Sequence, residues 1–235
     1  MTTQDESGRA RRSLGLRRLT TAACFNTYER IAPLYDAMES LWEVSWKKRL
    51  RRMLFDGLGG RILDAGVGTG LNIPYYPDGA EVVGIDLSPK MLAYAATRAK
   101  KHGREVALMS MDLRSIAVPD RHFDGIVSAF VFCTLSEQDR LAALRELARI
   151  CKSDGKIRIL DYSLSTRPFM RLVMRCCEPW FRWMFNATYQ VSFEEFAPMA
   201  GLELSGSTFV VGDYVKISEF RPLPPSAELS RKASS

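Results

Sequence analysis

Histidine and paired cysteine are scarce in this sequence. Among 235 residues there are two histidines, His102 and His122, and five cysteines, Cys24, Cys133, Cys151, Cys176 and Cys177, an odd number with no C-x-x-C spacing. A zinc site and a disulfide framework are therefore disfavoured. Long apolar runs are missing too: the longest, Gly125 to Cys133, falls far short of the roughly 20 residues that span a bilayer. Residues 1–24 lack the apolar stretch of a secretory signal. The expectation is a reduced, cytoplasmic setting.

What is present is an ordinary globular composition, 46% hydrophobic and 26% charged, with a net charge of +6. That charge is unevenly placed, since residues 1–61 hold twelve Lys and Arg against seven Asp and Glu. Such an excess suits an anionic surface, lipid or nucleic acid, or is a solvated basic face.

Residues 1–24 read as a basic flexible arm, 25–221 as one domain and 222–235 as a flexible tail. Over 39–56, Trp42, Trp46, Leu50, Met53 and Leu54 recur at helical spacing, and Gly57, Gly59 and Gly60 end the helix. Strands are expected at Arg61–Ala65, Glu81–Asp86, Glu105–Ser110, Phe123–Phe130 and Lys156–Tyr162, with helices at Pro89–Lys101 and Glu137–Cys151. A closing antiparallel pair, Glu203–Val211 and Tyr214–Phe220, follows a break of about thirty residues. Strands alternating with helices imply right-handed crossovers. The expected fold is a doubly wound, mostly parallel α/β sheet of seven strands, with N-terminal helices and a helical insertion before the last two strands.

The most specific feature is Asp64-Ala65-Gly66-Val67-Gly68-Thr69-Gly70, directly after a strand. Glycines there let bare backbone approach a ligand, beyond the carboxyl ends of the strands where open α/β sheets bind. Leu71 stands where the dinucleotide fingerprint needs its third glycine, and no Lys follows Gly70 as a phosphate loop demands. Asp86 closes the second strand, placed to accept the hydrogen bonds of a ribose diol. Met111-Asp112-Leu113, after the third strand, supplies an apolar wall and a carboxylate suited to an adenine.

These segments resemble the motifs of class I S-adenosylmethionine (SAM)-dependent methyltransferases: Asp64–Gly70 the first, Gly84-Ile85-Asp86-Leu87-Ser88 the second, Met111-Asp112 the third. The resemblance implies a Rossmann-like fold, SAM as cofactor and S-adenosylhomocysteine as product. It also implies that Gly66, Gly68 and Gly70 face the amino-acid end of SAM, Asp86 the ribose and Asp112 the adenine amine, with Asp64 among the cofactor-binding residues. Asn72, Leu87, Met111, Leu113 and Ala129 complete the cofactor's surroundings.

SAM carries the hard chemistry, so the protein mainly aligns an acceptor and excludes water. The stretches Asn26–Asp36 and Gly70–Pro77 look like the ubiquinone/menaquinone methyltransferase family, and are similar to bacterial phosphatidylethanolamine N-methyltransferases. That likeness implies a lipid or other hydrophobic acceptor, with Tyr28 and Tyr35 as a lid; packing of the N-terminal helix is their other role. The insertion Ser165–Gln190 places Arg167, Arg171 and Arg175 among Phe169, Leu172, Val173 and Met174, is broken at Pro179, and continues into Trp180, Phe181, Trp183, Met184 and Phe185. It suits a cap over the site, a segment in peripheral contact with an anionic membrane at the inner face, or both.

Ser128–Phe132 lacks the Asn/Asp-Pro-Pro-Tyr element of base-amine methylation, and nucleic acid is disfavoured. An amine acceptor must be neutral to attack, and Tyr28, Tyr35, Asp161 and Tyr162 are the candidates to take its proton. Asp161 could equally serve as a hydrogen-bonding residue at a strand end. The readings are methylation of a phosphatidylethanolamine-like amine, C-methylation of a quinone precursor, or a non-catalytic SAM-binding or membrane-binding module.

Overall fold

The computed structural model describes Thr27, Glu29, residues 45–191 and residues 193–224. Seven strands form one sheet: β1 (Arg61–Ala65), β2 (Glu81–Asp86), β3 (Ala107–Ser110), β4 (Phe123–Ala129), β5 (Cys151–Tyr162), β6 (Leu202–Val211) and β7 (Val215–Pro222), in the order β3-β2-β1-β4-β5-β7-β6. The first five pair in parallel, and β7 runs antiparallel to both β5 and β6. The chain winds outward from β1 to β3, then returns to β4 on the other side of β1. The switch point therefore lies between β1 and β4, with the carboxyl ends of the parallel strands on one rim.

Successive side chains of a strand face opposite ways, and the core divides accordingly. Ile62, Val127 and Leu160 pack on one face with Leu50 and Leu54 of α1 (Ser45–Phe55) and Ala95 and Ala99 of α2 (Pro89–Lys101). Their neighbours Leu63, Ile126 and Ile159 face Leu144, Leu147 and Ile150 of α3 (Glu137–Ile150) on the other. Each of these Leu, Ile and Val side chains contributes about 2 kcal/mol on burial.

The helices start where their caps place them. Ser88 accepts a bond from Met91 N ahead of Pro89, and Ser136 accepts one from Asp139 N. Both α2 and α3 end in basic residues that suit the negative helix terminus.

Three expectations need correction. Strand β5 begins at Cys151, directly after α3, because Cys151 pairs with Phe123 ahead of a bulge in β5, where five residues pass two of β4 before Lys156 pairs with Gly125. Strand β7 extends through Pro222, the first residue of the expected 222–235 tail, of which 225–235 lie outside the described residues. The insertion helix α4 (Pro168–Phe185) runs through Pro179 instead of breaking there. A proline removes one helical hydrogen bond. Here Pro179 is exposed, and buried Met174 and Phe181 anchor the helix on either side. A four-residue helix α5 (Phe193–Phe196) follows. Among the described residues, no helix is long and apolar enough to cross a membrane.

Candidate active site

The loop after β1 is fastened to its neighbour strand by Gly66 N and Val67 N, which both donate to the carbonyl of Ile85, at 2.8 and 2.9 Å. Gly66, Gly68 and Gly70 all adopt positive φ. The first two have different reasons to be glycine. A Cβ on Gly66 would collide with a methyl of Val131, in the turn after β4, so this backbone closes the switch point. A Cβ on Gly68 would meet nothing within 4 Å. The loop thus presents bare backbone to open space at Gly68.

Asp86 stands beside that space. Its Oδ2 accepts from Gly68 N at 2.9 Å and its Oδ1 from Ser88 N at 2.9 Å. Burial raises its pKa, against the pull of these backbone bonds. Each carboxylate oxygen keeps lone-pair capacity for a ligand hydroxyl. An open backbone cradle with a carboxylate at its side fits the polar ends of SAM.

Asp64 and Asn72 have another place. Asp64 is fully buried and accepts from Asn72 Nδ2 at 3.0 and 3.1 Å and from the Tyr76 hydroxyl at 2.7 Å. The Arg51 guanidinium of α1 donates to Asn72 Oδ1 at 2.6 Å. Both ends of Asn72 are thereby committed to protein partners, and the quartet braces the glycine loop. Burial pushes the Asp64 carboxyl up to about 6, against the bonds from Tyr76 and Asn72 and the charge of Arg51.

The folded chain therefore holds a proton that the unfolded chain releases as pH rises from about 4 to 6. The associated stability is present below pH 4 and is lost as pH rises through 6. In Asp64→Asn the fall in unfolding free energy between pH 4 and 6.5 is expected to flatten by up to about 3 kcal/mol. Guanidinium titrations across that range test this, and an unchanged slope would count against it.

Asp112 is engaged by Arg114, whose Nη2 donates to it at 2.6 Å, and this bond holds its carboxyl below the usual range. Arg114 also reaches Asp139 at 2.9 Å. Met111 N donates to the Asp86 carbonyl at 3.1 Å, and Met111, Leu113 and Leu87 are half-buried around the same rim.

At the end of β4, Ala129 gives way to Phe130 at φ 58, a strained conformation for an aromatic residue. The turn that follows is clamped from below. Asp161, fully buried, accepts from Cys133 N at 3.0 Å and Tyr162 N at 2.7 Å, while Arg140 donates to the Phe132 carbonyl at 2.9 Å. Burial pushes Asp161 up to about 6, with the Arg140 charge opposing. Asp161, a candidate proton acceptor, has no exposed surface and holds this turn, the hydrogen-bonding role at a strand end.

Tyr162, by contrast, is half-buried in an aromatic group. Its ring sits 5.1 Å from Phe130, 5.5 Å from Phe181 and 5.4 Å from Tyr189, and Phe181 stacks on Tyr189 at 4.3 Å. Thr188 N donates to the Cys133 carbonyl at 2.9 Å, which fastens the end of the insertion to the turn after β4. The insertion thus roofs the carboxyl ends of β4 and β5.

Tyr28 and Tyr35 lie outside the described residues. Between Thr27 and residue 45 only Glu29 is described. It receives the Ser88 hydroxyl at 2.5 Å and Lys90 N at 3.2 Å, so Glu29 is fastened to the turn after β2. Neither Glu29 nor Arg51 is legible as a site residue, because each partner lies at least 21 positions away.

A methyltransferase-domain family matches residues 62–155. A phosphatidylethanolamine N-methyltransferase of Cereibacter sphaeroides is 36% identical over 143 residues, 60% of this chain and 68% of that protein. A demethylmenaquinone methyltransferase of Thermus thermophilus is 29% identical over 208 residues, 86% of this chain and 83% of that protein. In fold, the chain matches the structure of a TehB-like SAM-dependent methyltransferase from Corynebacterium glutamicum, with a TM-score of 0.59 and 24% identity over 84% of this chain and 98% of that one. The glycine loop, the acidic residue one strand over and these relatives agree, and the chain belongs to the class I SAM-dependent methyltransferases, taking its methyl group from SAM and releasing S-adenosylhomocysteine.

Proposed function

We propose that the acceptor is a lipid amine, that of phosphatidylethanolamine and its methylated derivatives. The observation that carries this reading is the aromatic wall of Phe130, Tyr162 and Tyr189, half-buried beyond β4 and β5 and backed by Phe181. Aromatic faces attract ammonium groups. The acceptor nitrogen becomes cationic as it gains a methyl, so such a wall favours the charge where it develops. The similarity to the Cereibacter sphaeroides enzyme supports the same choice.

When bound, SAM supplies an electrophilic methyl on a sulfonium sulfur. Gly66, Gly68 and Gly70 would receive its amino-acid end, Asp86 its ribose, and Asp112, Met111, Leu113 and Leu87 its adenine, with Ala129 among its other contacts. Asp64 and Asn72 hold the loop from beneath. Tyr28, Tyr35 and Tyr162 are the candidates to take the proton the nitrogen sheds, and Asp161 with Arg140 positions the turn that carries the wall.

The demethylmenaquinone methyltransferase similarity spans more of the chain and favours a second reading, ring C-methylation of a quinone precursor. Methyl-labelled SAM, offered with the purified chain and vesicles of phosphatidylethanolamine and phosphatidylglycerol or with a demethylated quinone, separates the two. Label is expected in mono- and dimethylated lipid. Label in the quinone alone would replace the first reading with the second, and label in neither would overturn both.

A further inference from the structure

Helix α4 is apolar on two sides. Its inner side buries Met174 and Phe181. On its outer side Phe169, Leu172, Val173, Trp180 and Trp183 are 77, 61, 39, 53 and 70% exposed. Together with exposed Cys176 they recur three or four residues apart, so they form one stripe along the helix. An amphipathic helix on a globular protein turns its second side to water with polar residues, and scattered exposed apolar residues need no explanation. A contiguous stripe does.

Charge narrows the occupant. Arg167 at the helix start and Arg175 along one flank are exposed, and the helix's single acidic residue, Glu178, is paired with Arg182 at 3.0 Å. Two copies of this chain meeting stripe to stripe would bring like charges together, whereas an anionic surface would complement them. Tryptophan between an apolar body and a polar edge suits the headgroup level of a bilayer. A helix of 18 residues is about 27 Å long and can lie flat there.

We propose that α4 docks the protein onto an anionic bilayer. Phe169, Leu172, Trp180 and Trp183 enter the boundary between headgroups and acyl chains, while Arg167 and Arg175 meet lipid phosphates. The opposite side of the same helix carries Phe181, which stacks on Tyr189 of the aromatic wall. Docking therefore brings the wall to the headgroup layer, and the acceptor's amine reaches it without leaving the membrane. This last step rests on the lipid-amine reading; the docking itself does not.

The test uses the full chain, vesicles of phosphatidylethanolamine and phosphatidylglycerol, and the double variant Trp180→Gln/Trp183→Gln. Wild type is expected to co-sediment with vesicles, and the variant to partition on the order of tenfold more weakly. Vesicles are also expected to protect Cys176 in wild type from a water-soluble maleimide, followed by peptide mapping. S-adenosylhomocysteine binding, and turnover on a short-chain monomeric phosphatidylethanolamine, are expected to stay at wild-type level in the variant, while turnover on vesicles falls. Equal partitioning of both proteins, or unprotected Cys176, would overturn docking through α4. A wild-type dimer that the variant converts to monomer without lipid would assign the stripe to a second copy instead. Vesicle binding with no methylated lipid from either substrate would overturn the acceptor reading and leave the docking intact.

Discussion

Gly68→Ala is expected to weaken S-adenosylhomocysteine binding on the order of 100-fold, close to 2.7 kcal/mol, while the chain stays folded. The backbone penalty of an alanine at φ 55 is about 1 kcal/mol, too small to unfold a domain of this size. The larger loss arises because the new methyl points into the open space beside Asp86, where the proposed ligand lies. Gly79→Ala is the control. Gly79 has φ 77, and an added methyl there would likewise meet nothing within 4 Å, but it sits in the turn before β2, at the far end of the strand from the cradle. It should cost similar stability and leave binding unchanged. Calorimetric titration of both variants decides the matter, and equal affinities would mean that the open side of Gly68 is not where the cofactor sits.

Arg51→Met should destabilise the chain by about 3 kcal/mol at pH 7. The fully buried Asp64 would lose the cation that opposes its desolvation, and Asn72 would lose its 2.6 Å donor. Without Arg51 the folded pKa of Asp64 rises above its present value of about 6, further from the unfolded one. The carboxyl then takes a proton more readily in the folded chain, so the deficit against wild type should shrink as pH falls from 7 to 5. Denaturant unfolding at the two pH values checks both parts. A deficit that is the same at pH 5 and pH 7 would show that Arg51 contributes packing alone and does not balance the buried carboxylate. Since Asp64 and Asn72 brace the glycine loop, weaker cofactor binding is expected to accompany the loss.

Much of this protein is legible in short stretches of sequence. Ile62 and Leu63 ahead of Gly66 announce a buried strand and a ligand loop, Ser88 and Pro89 announce the start of α2, and the leucines of 141–147 with Ile150 announce the face of α3. Strand alternation predicts a mostly parallel sheet of seven strands, and the structure has one. The exposed stripe of α4 is also present as spacing, although the sequence places a break at Pro179 that burial of Met174 and Phe181 on either side prevents.

Propensity, periodicity and turn chemistry act over a few residues, and they were enough to locate the strands, the loop of bare backbone and the acidic residue one strand over. Which carboxylates face a ligand and which are consumed by the protein depended on partners brought together from distant parts of the chain. Arg51 and Asn72 claim Asp64, and Cys133 claims Asp161, while Asp86 stays at the rim. Burial and hydrogen-bond geometry are properties of the assembled sheet, and an isolated Asp in a sequence carries no mark of either.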